Sequence, residues 1–241
     1  MARQAERRYA SLLKELASNV GSFVERLALS GQTDQMTALL HQYARALVPW
    51  AQQTASTMLE QVNQRDLSAW NELGTTISTQ LRAELRNAPV AAKVDALLAE
   101  QVELITSIPT KAAERAQKLA TEAFVGGGRV NSIIEEIQRT TQVTESRARL
   151  IARDAVQRAA TGLTEARSEA IGSTSYVWRT ARDSAVRESH REMEGRVVQW
   201  DSPPTLDGMT GHAGTFPRCR CYPEPLIPDS YQPTVRGRRR H

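Results

Sequence analysis

Cys219 and Cys221 are the only cysteines of the chain, and a single arginine separates them in the stretch HAGTFPRCRCYPEP, residues 212–225. In an extended segment, residues i and i+2 point to the same face, roughly 6.6 Å apart along the backbone. Two thiols then stand together while Arg220 faces away. A disulfide between them would close a strained ring, and a protein kept in the cytosol would hold both reduced. Two thiolates on one side make half of a tetrahedral zinc site, which two imidazoles would complete. Of the four histidines, His41 falls in a helical region and His241 is terminal, so His190 and His212 remain. The candidate ligand set is therefore His190, His212, Cys219 and Cys221, with Zn2+ as the candidate cofactor. Asp183 lies seven residues before His190, two turns along the same face if the segment is helical. It is read as an outer carboxylate orienting His190, or as a ligand in place of His212. The spacing is not that of a zinc finger with two tight pairs. The competing reading is two small buried thiols beside histidines that hydrogen-bond in turns. A nucleophilic Cys–His–Asp site is disfavoured, because no glycine turn of the oxyanion-hole type adjoins the cysteines.

The elements around these residues are short and extended. YVWRT (176–180) and RVVQW (196–200) are rich in β-branched and aromatic residues and bounded by glycine and proline, so they read as strands. CRCYPEPLIP is a third extended piece that its prolines confine to an edge. ARDSAVRESHREMEG, between the first two, reads as a helix.

Upstream, Tyr9, Leu13, Leu16, Val20, Phe23 and Leu27 step by three and four, the apolar stripe of an amphipathic helix. Met36, Leu40, Tyr43, Leu47 and Trp50 repeat the pattern after SGQTD. Trp70, Ile77, Leu81 and Leu85 carry a further helix that NAP stops at Pro89, and Val94, Leu98, Val102 and Ile105 mark another that Pro109 is expected to end. VGGGRV (125–130) is the clearest break in the chain. Beyond it, two helices joined by TQVT have the outline of a helix-turn-helix, with Thr144 as N-cap, Gly172 past the far end, and Arg147, Arg149 and Arg153 as groove-facing residues. Alternating charges favour a solvated face over that reading.

The 241 residues are 40% apolar and only 5% aromatic, with Ala, Leu, Gln, Glu and Arg dominating the first two thirds, as in helices packed on helices. The expected fold is mainly α, with long N-terminal helices followed by a small C-terminal α+β domain holding a short antiparallel sheet. No apolar run is long enough to span a bilayer, and no secretory leader is recognisable, so residence in the cytosol with no membrane partner is expected. Phosphate loops, HExxH and GxSxG are absent from the sequence. The 31 basic residues exceed the 27 acidic ones by four, the number of arginines in the terminal RGRRRH. Arg236, Arg238, Arg239 and Arg240 form a basic tail suited to phosphates, or else a solvated end.

From Ser146 to Pro225 the chain closely resembles the phage Mu F-like, or phage head morphogenesis, family of minor head proteins. The resemblance is carried by RARLIARD (147–154), YVWRT, Asp183, Val186, Arg187 and His190 before Gly195, Pro203–Pro204, His212 with Gly214, and CRCYPEP at 219–225. Met193 stands where the family has leucine, and Ala213 where it has the proline of HPG. The resemblance implies a virion component rather than an enzyme: a minor capsid protein made in the host cytoplasm and placed at the head interior or portal vertex. Its implied partners are the portal protein, the major capsid protein and packaged double-stranded DNA, with roles in DNA packaging and ejection. The expected organisation is a helical arm or bundle over 1–125 that could also mediate oligomers, a helical connector over 126–172, a small α+β head-morphogenesis domain over 173–235, and the basic tail 236–241. The alternative is a nucleic-acid-binding module built on the 130–170 helical pair.

Overall fold

The structure, a computed structural model, describes residues 2–30, 32–73, 79–125 and 130–231. Six helices come first: α1 (Ala2–Leu29), α2 (Thr33–Ala46), α3 (Val48–Leu73), α4 (Thr79–Arg86), α5 (Ala91–Val125) and α6 (Val130–Ala170). A small antiparallel part follows, so the fold is mainly α with an α+β end, as expected. None of the described helices is long and apolar enough to cross a membrane. By packing, the chain forms two units, one of Met1–Leu59 with Ala96–Val156 and one of Glu60–Asp95 with Gln157–His241. These differ in outline from the segments drawn by composition. The helices α3, α5 and α6 each run through a position where the unit changes, and a continuous helix carries no compositional mark there. The glycines at 126–128, the basic tail and Ile77 lie outside the described residues.

In the first unit the α1 stripe is buried as read, with Tyr9, Leu13, Leu16, Val20 and Leu27 inside and Phe23 half-buried beside a buried Val24. Burying each such side chain contributes about 1.5–3 kcal/mol. The α2 stripe is buried at Met36, Leu40 and Leu47, with Ala44 inside in place of the half-buried Tyr43, and Trp50 is exposed because α2 ends before it and Pro49 sits in the first turn of α3, a position that needs no N–H.

On α5 the buried line is Leu97, Gln101, Ile105 and Ile108, whereas Val94, Leu98 and Val102 are half-buried. A polar residue occupies that line because Gln101 Oε1 accepts from Tyr9 Oη at 3.3 Å. Pro109 does not end this helix: α5 passes through it to Val125. The proline removes one helical donor, and hydroxyls gather on the carbonyls around it. Thr106 Oγ1 donates to Val102 O at 2.9 Å, Ser107 Oγ to Leu104 O at 2.6 Å, and Thr110 Oγ1 to Ser107 O at 3.1 Å.

TQVT likewise does not break the chain. The helix α6 is continuous from 130 to 170, so the expected helical pair, and the helix-turn-helix built on it, is one long helix with Thr144 buried inside it. Its C-terminus closes on Gly172 at φ 72°, with Gly172 N–H donating to Glu169 O at 2.9 Å and Ser173 N–H to Ser168 O at 2.8 Å. Those two bonds form a Schellman cap.

In the second unit the later part of α6 meets the end of α3. Arg167, buried, pairs with Asp66 and donates to Asn63 Oδ1 at 2.7 Å, while Thr164 Oγ1 donates to Asp66 Oδ1 at 2.6 Å. Trp70, Leu81, Leu85 and Ile171 make a small apolar cluster, with Trp70 on α3 and Leu81 and Leu85 on α4; residues 74–78, over which one helix was expected to run, lie outside the described residues. The sheet has β1 (Ser175–Thr180) in the middle, flanked antiparallel by β2 (Val197–Gln199) on one side and an edge strand, Cys221–Pro225, on the other. A hairpin, β3 (Thr205–Leu206) with β4 (Met209–Thr210), precedes that edge strand, β5. Alternate β1 residues Tyr176, Trp178 and Thr180 point inward, and the first two join Met193, Val198, Trp200, Phe216 and both cysteines in one core.

The segment 181–195 is mostly turns, with one short helix α7 (Glu188–Arg191), rather than the full helix expected. Its apolar anchors Val186 and Met193 are too few for a helical stripe, Arg182 is left-handed at φ 54°, and Asp183 Oδ1 accepts Ala185 N–H at 3.1 Å in a local turn. The later turns of α6 hold the loops in place: Gln157 Nε2 donates to Cys221 O at 2.8 Å and Thr161 Oγ1 to Ala213 O at 2.9 Å.

Candidate metal centre

The turn α7 carries His190 into the core, where its ring stands edge-on to Trp178 and to Phe216, with centroids 5.6 and 4.8 Å away. Cys219 sits just before β5 and Cys221 opens it. Both sulfurs face the same nitrogen, with His190 Nδ1 3.5 Å from Cys219 Sγ and 3.4 Å from Cys221 Sγ. All three residues are buried, and their donor atoms lie within 4.8 Å of one another. Arg220 turns away, as the i, i+2 alternation requires, and pairs with Asp183.

The two thiols are electrostatically unequal. Cys219 is held well below the ordinary thiol range, first because Cys221 donates a hydrogen bond to it; burial opposes this, and the backbone N–H groups of Cys221 and Gly214 support it. Cys221 is pushed up by that same shared hydrogen bond and by burial. A soft cation could bridge the two sulfurs. With Zn–S near 2.3 Å and Zn–N near 2.0–2.1 Å, a tetrahedral site separates N from S by about 3.6 Å, close to the distances observed. An imidazole with two thiolates suits zinc and other borderline or soft ions rather than magnesium or calcium. The residues fit a metal, which His190 Nδ1, Cys219 Sγ and Cys221 Sγ would hold.

The fourth expected ligand is engaged elsewhere. His212 Nδ1 lies 3.2 Å from Tyr176 Oη, and that hydroxyl also accepts Ala213 N–H at 3.2 Å. Its Nε2 is 3.8 Å from Glu165 Oε1, and Glu165 Oε2 is 2.8 Å from Lys93 Nζ. Burial favours neutral His212, with Glu165 opposing. His212 therefore braces the core through Tyr176 and Glu165 and lies outside the His–Cys–Cys group. Asp183 is also elsewhere, committed to Arg220 and to the 183–185 turn.

Residues 114–223 match the sequence profile of a family described as "Phage Mu protein F like protein". That match overlaps the Ser146–Pro225 segment read from sequence as similar to the family. A curated relative, an uncharacterized protein of Haemophilus influenzae (strain ATCC 51907 / DSM 11121 / KW20 / Rd), is 34% identical over 176 residues. The alignment covers 71% of this chain but spans only 39% of the relative's length. No solved structure matches.

The three gathered residues, His212 and Asp183 all fall inside the Mu F-like segment, whereas α1 to α4 precede it. Of the arginines once read as groove-facing, Arg147 donates to Ser107 Oγ at 3.2 Å and Arg149 lies 3.6 Å from Glu145. Arg236, Arg238, Arg239 and Arg240 are outside the described residues. Asp207 was missed from sequence, although DG in TLDGMT is a strong hairpin signal. Its Oδ2 is 3.8 Å from His190 Nε2. A turn motif announces its own backbone, not the side chain it will meet.

Proposed function

We propose that the chain is a phage minor head protein that acts in head morphogenesis, associated with the portal and in contact with packaged DNA. The observation that carries this reading is the Mu F-like match over residues 114–223, which contains the whole candidate metal centre. The protein works by docking and assembly rather than by catalysis, in line with cysteines that are buried among aromatic rings. Its place is the virion, at the head interior or portal vertex, after synthesis in the host cytoplasm. The decisive experiment is co-purification with the portal ring, together with detection in mature particles. A protein absent from both would overturn the assignment.

Two parts of the reading have their own tests. The metal at His190, Cys219 and Cys221 is zinc, which stabilises a compact unit with few strands. Elemental analysis of protein purified without a histidine tag should find about one equivalent, and less than about half would reject zinc. The four arginines of the tail contact phosphates without reading sequence. DNA affinity should then fall with salt at a log–log slope of about −3 to −4 and be lost on deletion of residues 236–241; salt-insensitive binding would exclude the tail.

A further inference from the structure

The two ring nitrogens of His190 meet different chemistry. Nδ1 faces both sulfurs, whereas Nε2 is buried and makes no hydrogen bond, with Asp207 Oδ2 3.8 Å away. The carboxylate is delivered by the β3–β4 hairpin. Its two-residue loop, Asp207 and Gly208, has φ values of 52° and 75°, the turn that matches strand twist. Arg187 Nη1 lies 3.4 Å from the same oxygen, and Arg187 Nη2 donates to Pro217 O at 3.2 Å. Arg187 is the residue that leads into α7, so the element that carries the imidazole also anchors the carboxylate beside it.

A neutral imidazole offers a lone pair from one nitrogen only when its proton sits on the other. A carboxylate at Nε2 keeps the proton there. We infer that Asp207 is the positioning residue of the metal centre: Oδ2 accepts the Nε2 proton and fixes the tautomer whose Nδ1 lone pair is aimed between Cys219 and Cys221. This rests on the metal reading given above, and it gives Asp207 the orienting role expected from sequence of Asp183. A carboxylate side chain that is 35% exposed has room to close the 3.8 Å gap, and a buried N–H left unmet is costly.

The test uses the full chain and two substitutions that tolerate the left-handed turn. Asp207→Gly removes the carboxylate, and Asp207→Asn keeps an oxygen acceptor without the charge. Near-UV circular dichroism from the tryptophan core checks that each variant is folded. Long-range 1H–15N spectra of metal-free protein should show His190 protonated at Nε2 in the parent and in Asp207→Asn, and that preference should be lost in Asp207→Gly. Titration with Co2+ against a chelator, followed by the sulfur-to-cobalt absorption band, should show affinity about 10–100-fold weaker in Asp207→Gly. A parent protein protonated at Nδ1, or an Asp207→Gly variant with unchanged tautomer and unchanged Co2+ affinity, overturns the role of Asp207 and leaves the metal centre standing. A parent protein with no sulfur-to-cobalt band overturns the metal reading, and the positioning role falls with it.

Discussion

Individual residues near the sulfurs have little room to change. Gly214 has φ +96°, its N–H supports Cys219, and a Cβ there would run into Thr161 Oγ1 and come within 3.0 Å of Gln157 Nε2. Those are the two α6 side chains that hold the loop carbonyls. Gly214→Ala should therefore destabilise the protein by about 1–3 kcal/mol and weaken metal binding, as read by urea unfolding and Co2+ titration; a neutral result would mean the loop can move away from α6. Glu194 shows a different residue-level effect. Burial would raise its carboxyl, but hydrogen bonds from Thr180 N–H and Arg182 hold it down at about 2, against an ordinary 4.5. With a depressed folded value, its contribution is present above pH 4.5 and lost as the pH falls towards 2. The stability gap between the parent and Glu194→Gln should shrink over that range in acid titrations followed by tryptophan fluorescence. A gap that stays constant with pH would contradict the assignment.

At the scale of elements, buried polar groups decide which helices meet. Arg167 and Asp66 join α6 to α3 with side chains only 3% and 9% exposed; Asn63 accepts a further bond from Arg167 and Thr164 donates one to Asp66. Removing one partner leaves a charge buried without its counter-ion, so Asp66→Ala should cost about 3–5 kcal/mol in chemical denaturation. The double variant Asp66→Ala with Arg167→Met should recover part of that loss. A cost below about 1 kcal/mol for the single variant would mean that Arg167 reaches solvent. Pro109 teaches a related lesson. Proline is read as a stop because it lacks a donor, yet here Thr106, Ser107 and Thr110 bind the surrounding carbonyls and the helix continues. Those hydroxyls were visible in the sequence, but their use depends on a buried setting in which continuing the helix covers Ile108 and Ala112.

For the whole molecule, the expected consequence of the centre is linkage between metal and stability. A ligand at one hundred times its dissociation constant adds about 2.7 kcal/mol, which for a chain of this size is a shift in Tm of about 5–10 °C. Chelation should lower Tm by that amount in the parent and leave Cys219→Ser unchanged. A parent protein indifferent to chelator would remove the stabilising role. The helical class, the α1 stripe, the three strands and the pairing of Cys219 with Cys221 on one face were legible from sequence, because each follows from periodicity over a few neighbouring residues. The choice of His190 over His212, the replacement of Asp183 by Asp207, and the fusion of two expected helices into α6 were not. Those outcomes depend on which distant groups arrive at the same place: Arg220 claims Asp183, Tyr176 and Glu165 claim His212, and a hairpin turn brings in Asp207. Local spacing governs the direction in which a side chain leaves the backbone, and only the assembled core determines what it meets there.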